Sequence, residues 1–231
     1  GSLCGYVDDP VVNLTIMALI TIGGLGFAVW GDIRKNRRFS RLSVYSRLVV
    51  AISLGLTLGG AAVIALLEWN NPGTIGGLRA GGKVLASLFQ SVTLRTAGFA
   101  SFDQNALRDV TKAVCDVLMF VGGSSGSTAG GVKTVTVGVL VLAAVGTARG
   151  RTHITAFKRT IPQSTVANAG SIALLMLTLG AVGAGTIAVI DGVSFENAIY
   201  ETISALCTVG LTTGITSGLS LASCLILIIF M

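Results

Sequence analysis

Three features of the sequence predict an all-α membrane protein built from repeated modules of helix, re-entrant pore loop and helix. Just over half of the 231 residues are hydrophobic and only 11% are charged, so the dominant solvent is lipid. The apolar residues fall into segments long enough to cross a bilayer. Two shorter apolar stretches recur at equivalent places between those segments, each ending in a Thr-x-Gly turn. The 31 glycines follow no collagen period and cluster in or beside the apolar runs, as in helices that pack closely in a membrane.

The chain opens with Asp8 and Asp9 where a secretory leader would be basic, and it reads as starting partway through a longer protein. Residues 10–30, 47–69, 111–147 and 168–190 can each cross about 30 Å of hydrocarbon, which takes about 20 helical residues. Residues 219–231 are too few to span and stop on Ile228, Ile229, Phe230 and Met231, as if inside a helix.

Charge orients these segments. Arg34, Lys35, Arg37, Arg38, Arg41 and Arg47 face one acid, Asp32, and Arg149, Arg151, Lys158 and Arg159 face none. The positive-inside rule puts both basic loops, 31–47 and 148–160, on the cytoplasmic side of a plasma membrane. No aromatic-rich or helix-turn-helix context accompanies them, so nucleic acid is not an expected partner. Cys4, Cys115, Cys207 and Cys224 are widely spaced and His153 is the single histidine. A metal cage is therefore not expected, and the thiols read as small apolar side chains.

Residues 81–93 and 195–207 are too short to span and lie on the outer side, so they predict helices that dip in and return. Thr96, Ala97, Gly98 and Phe99 follow the first, and Thr208, Val209, Gly210 and Leu211 the second. The order of span, short helix, turn and span is the same around both, an internal repeat. Non-helical backbone at membrane depth is tolerated where it lines a watery cavity, and there its carbonyls can replace the water around a cation. Glycine at 98 and 210 permits backbone angles that aim successive carbonyls the same way. Thr208–Val209–Gly210 copies the start of the potassium-channel filter, which makes potassium the expected ion; an ordinary tight turn is the competing reading.

Residues 111–147 would make a helix of about 55 Å, almost twice the hydrocarbon thickness, and should break. The break is written as Gly122, Gly123, Ser124, Ser125, Gly126, Ser127, Thr128, Ala129, Gly130 and Gly131, with Lys133 beyond. Its spacing has one residue too many before the lysine for a nucleotide P-loop, and no buried strand leads into it. Inward of the first turn, such a loop would lie in the conduction path as a gate; a kink that merely relieves excess length is the alternative.

SVTLRTAGF (91–99), MFVGGSSGSTAGGVKT (119–134) and SALCTVGLTTGIT (204–216) resemble the TrkH/KtrB superfamily of potassium transporters, most closely the KtrB type, and the likeness runs from about residue 9 to 231. Residues 9–32 also resemble that family's second-repeat closing helix. The resemblance implies four helix, pore loop, helix repeats around one pore. Residues 1–46 would then be the closing helix of a second repeat plus a cytoplasmic loop, 47–160 the third repeat with its gating loop, and 161–231 a fourth repeat truncated in its last helix. It implies that Thr96–Phe99 and Thr208–Leu211 are two of four filter strands, binding potassium through backbone carbonyls. It further implies sodium as a candidate activator, no organic cofactor on this chain, a homodimer in lipid, and a cytoplasmic nucleotide-binding regulatory subunit of the KtrA/TrkA type.

Charges near the pore have two readings each. Arg95 and Lys133 are costly in lipid and should face protein or water; Lys133 is either a fixed barrier charge below the loop or a snorkelling side chain. Asp116 either attracts cations or pairs with Arg95 or Lys112. Glu196 and Glu201 are candidates for a negative outer mouth, or simple partners of a helix N-terminus. Two other functions share some of these features: a secondary transporter with broken helices, and a membrane scaffold without transport. No nucleophile, base and orienting group converge, so an enzyme is not expected.

Overall fold

The computed structural model describes residues 2–150, 154–157 and 159–231, so Arg151, His153 and Lys158 lie outside the described residues. Among the described residues the chain is mostly helical, in the order α1 (Pro10–Leu25), α2 (Phe27–Asn36), α3 (Val44–Glu68), α4 (Ala80–Thr93), α5 (Asp109–Phe120), α6 (Thr134–Ala148), α7 (Gln163–Asp191), α8 (Phe195–Leu206) and α9 (Leu221–Phe230). A short antiparallel pair, β1 (Thr155–Ala156) with β2 (Arg159–Thr160), interrupts the basic segment between α6 and α7.

Helix starts follow side-chain chemistry. Asp9 accepts from the Val11 and Val12 N–H groups with Pro10 in the first turn of α1. Ser43, Ser194 and Ser220 cap α3, α8 and α9 in the same way. Each satisfies backbone donors that lipid cannot.

Helices α3 and α7 are long and apolar enough to cross a membrane. Residues 10–30 depart from the single span expected of them. They divide at Gly26, and α1 and α2 meet at 93°. The sequence between 111 and 147 breaks as expected, leaving α5 and α6 as half-helices joined by residues 121–133.

The two modules are related in packing. α3 lies along α4, and α7 along α8. The modules join where α5 meets α8, around Cys115, Met119, Tyr200 and Ile203. The end of the first module at the C-terminus of α3 is fastened by Glu68, fully buried, which accepts from Asn71, Thr74, the Arg108 N–H and Thr111. One carboxylate thus ties α3 to the start of α5 with all its neighbours donating, the condition under which a buried charge is tolerated.

Candidate functional site

Both short helices stop at the predicted turns. α4 is about 21 Å long and α8 about 18 Å, too short to span. Thr96 and Gly98 have φ of 64° and 73°, Thr208 and Gly210 of 55° and 88°. The left-handed region is costly for a β-branched threonine. The same Thr-x-Gly pattern in both turns therefore marks them as one backbone device made twice.

The structure brings the two turns together. A Cβ on Gly98 would collide with the Val209 carbonyl oxygen and come within 3.2 Å of Gly210 Cα. Thr93 Oγ1 donates to the Phe99 carbonyl at 2.7 Å and accepts from its N–H at 2.9 Å. In the second turn Ser204 donates to the Leu211 carbonyl at 2.6 Å. Phe99 and Leu211 therefore have their carbonyls bound to α4 and α8. Those of Thr96, Ala97, Thr208, Val209 and Gly210 accept no hydrogen bond among the described residues. The Thr96 hydroxyl, buried, also has no partner among them. Oxygens left in this condition suit a cation.

The loop between α5 and α6 lies against these turns. Its neck is closed by Gly122 N–H to Val132 O at 3.0 Å, Val132 N–H to Phe120 O at 3.2 Å and Thr134 N–H to Gly123 O at 3.0 Å. Ser127 folds back on Ser124 O at 2.6 Å, and Gly130 packs directly on Thr208. A cavity of ≈ 250 Å³ is lined by Thr96 and Ala97 of the first turn, Thr128 and Ala129 of the loop, and Gly23 and Gly24 of α1. Ser125 and Gly126 reach toward the α1–α2 bend, and Gly131 packs beside Cys207.

The charged groups resolve into specific contacts. Arg95 donates to Gly122 O at 3.3 Å, Thr134 Oγ1 at 3.1 Å and Ser53 O at 3.4 Å, binding both ends of the loop to the first turn. The Lys133 ammonium donates to Ala129 O at 2.6 Å, which ties its charge to the loop. Asp116 forms no ion pair with Arg95 or Lys112; Lys112 instead pairs with Glu196 at 3.5 Å. Glu201 is buried and accepts from Thr212, Thr213 and Thr216. The threonine run after the second turn was the signal for that role.

Sequence reasoning missed Gln104. It is buried, its carbonyl oxygen accepts from Gln90 of α4 at 2.6 Å and from Tyr200 of α8 at 3.0 Å, and it joins the two pore helices behind the turns. Gln104→Leu would leave both donors buried without that acceptor, at a cost of about 2 kcal/mol or more. Thermal denaturation of the full-length protein in detergent should show a midpoint lower by several degrees; an unchanged midpoint would mean the tie contributes nothing.

A family model described as TrkH, cation transport protein, matches residues 1–231. Ktr system potassium uptake protein B of Bacillus subtilis is 37% identical over all of this chain and 52% of its own length. The protein of the same name from Vibrio alginolyticus is 36% identical over all of this chain and 51% of its own. Potassium/sodium uptake protein NtpJ of Enterococcus hirae is 34% identical over all of this chain and 52% of its own. The chain thus spans about half the length of the curated relatives it matches. The crystal structure of the potassium transporter TrkH from Vibrio parahaemolyticus superposes with a TM-score of 0.76 at 19% identity, covering 98% of this chain and 50% of that one, so the fold is shared. With a family match from end to end and the two-module fold in place, the chain belongs to the TrkH family of cation transport proteins.

Proposed function

We propose that this chain supplies two filter turns and the gating loop of a channel-like pore that conducts potassium across the plasma membrane. The observation that carries the reading is the facing pair of left-handed Thr-x-Gly turns, with five backbone carbonyls that accept no hydrogen bond among the described residues. Thr96 and Ala97 in one turn, and Thr208, Val209 and Gly210 in the other, would offer their oxygens to the ion in place of water. Phe99 and Leu211 would hold the turns to the pore helices, since their carbonyls are already engaged. The loop of residues 122–131 with Lys133 would obstruct the inner side of the turns, supported by the packing of Gly130 on Thr208.

The names of the relatives support potassium, and that of the Enterococcus hirae protein adds sodium as an ion to be tested. The rest of the reading follows the family: turns on the outer side, basic loops 31–47 and 148–160 in the cytoplasm, residues 47–160 and 161–231 as successive repeats, and residues 1–46 closing an earlier one. A homodimer and a cytoplasmic nucleotide-binding regulatory subunit are part of the same proposal, and transport proceeds with no bond made or broken. Rubidium and potassium uptake by vesicles carrying the full-length protein tests it. Uptake that competes with potassium and not with organic solutes is expected; transport of an organic solute without cation flux would overturn the reading.

A further inference from the structure

Residues 10–30 are apolar enough for one helix, yet the helix stops at Gly26, and the loop takes up the backbone groups that the stop leaves free. The Ser124 N–H donates to Gly24 O at 3.0 Å and its hydroxyl to Leu25 O, while the Phe27 N–H donates to Gly126 O at 3.3 Å. Gly26 has φ of 80°, and a Cβ there would lie 2.7 Å from Ser124 Oγ and 3.0 Å from Ser125 O. From the first turn of α3, the Tyr45 hydroxyl donates to Ser125 O at 3.0 Å. Three consecutive loop residues are therefore held by elements outside the α5–α6 pair. A segment so rich in glycine and serine has little core of its own, so contacts of this kind decide where it rests.

We propose that the α1–α2 bend and Tyr45 form a latch that positions the loop, and that straightening of the bend releases it. The exchange of hydrogen bonds makes this a two-state element. In a continuous helix Phe27 N–H would return to Gly23 O, and Gly24 O and Leu25 O would accept from the residues four places on. Gly24 O, Leu25 O and the Phe27 N–H thus have a partner in either state, so exchanging the loop for helix orphans none of these three in lipid. α2 leaves the bend at 93° to α1 and carries Arg34 and Lys35 toward the basic loop, so it is the arm on which an inner-side force would act. Tyr45, Ser124 and Gly26 are positioning residues; none lines the cavity beside Thr96 and Ala97. The proposal rests on the reading of the loop as an obstruction, but its test does not.

Amide hydrogen exchange of the full-length protein in lipid vesicles reads the latch directly. Tyr45→Phe removes one hydroxyl and no volume, and should speed exchange at Ser124 and Phe27 about five-fold. Gly26→Ala, which favours continuous helix, should act in the same direction and further. Unchanged exchange in Tyr45→Phe and in Ser124→Ala overturns the latch. Rubidium uptake measured in parallel separates the two ideas. Faster exchange with unaltered uptake keeps the latch and refutes the loop as the obstruction; raised uptake on loop excision, with exchange unmoved in Tyr45→Phe, does the reverse.

Discussion

Gly98→Ser in the full-length protein is expected to cut the preference for potassium over sodium about tenfold or more, the equivalent of ~1.4 kcal/mol between the two ions. At φ of 73° a side chain is strained before any neighbour is considered. The added Cβ also collides with the Val209 carbonyl, so a change in the first turn displaces an oxygen of the second. Gly210→Ser should do less. Its φ of 88° is as demanding, but the nearest atom to an added Cβ is Gly98 Cα at 3.8 Å, an ordinary contact. Competition of sodium against rubidium uptake measures both, and parental selectivity in the two variants would remove these turns from the filter.

Excision of residues 123–130, joining Gly122 to Gly131, is expected to raise potassium uptake about tenfold without altering ion preference, on the scale of ~1.4 kcal/mol in barrier height. The neck permits the operation. A Cβ on Gly122 would lie 3.3 Å from Gly131 Cα, and Gly122 N–H already bonds to Val132 O, so α5 and α6 need hardly move. What is removed includes Thr128 and Ala129, which line the cavity beside Thr96 and Ala97, and Gly130, which rests on Thr208. A well-folded variant that conducts no faster than the parent would make the segment a structural break and nothing more.

Much of this was legible in the sequence because it depends on length and local composition. A 13-residue apolar stretch cannot span, and residues 111–147 cannot stay helical across one membrane; α4, α8 and the division into α5 and α6 followed. The turns were legible because Thr-x-Gly occurs twice in the same setting. The Gly26 bend was not. Residues 10–30 carry no charge, and the groups that hold the bend come from Ser124 and Gly126. Nor was the partner of Lys133, a carbonyl four residues back, or the burial of Glu201, whose acceptor sites are filled by hydroxyls beyond the turn. Charged residues in an apolar sequence announce that they matter; their partners are set by tertiary packing.

The bend also has a place in the order of synthesis. Ser124 and Leu25, which bond across it, are 99 residues apart, and a ribosome adding ~5–20 residues per second takes roughly 5 to 20 s to cover that distance. Through that interval the first segment has no loop to bond with, and lipid offers its backbone no donors or acceptors. The form expected to enter the bilayer is therefore one straight helix, in which its own groups are paired. On that expectation the right angle at Gly26 is made afterwards, when the loop arrives, so the membrane inserts one shape and the finished protein keeps another.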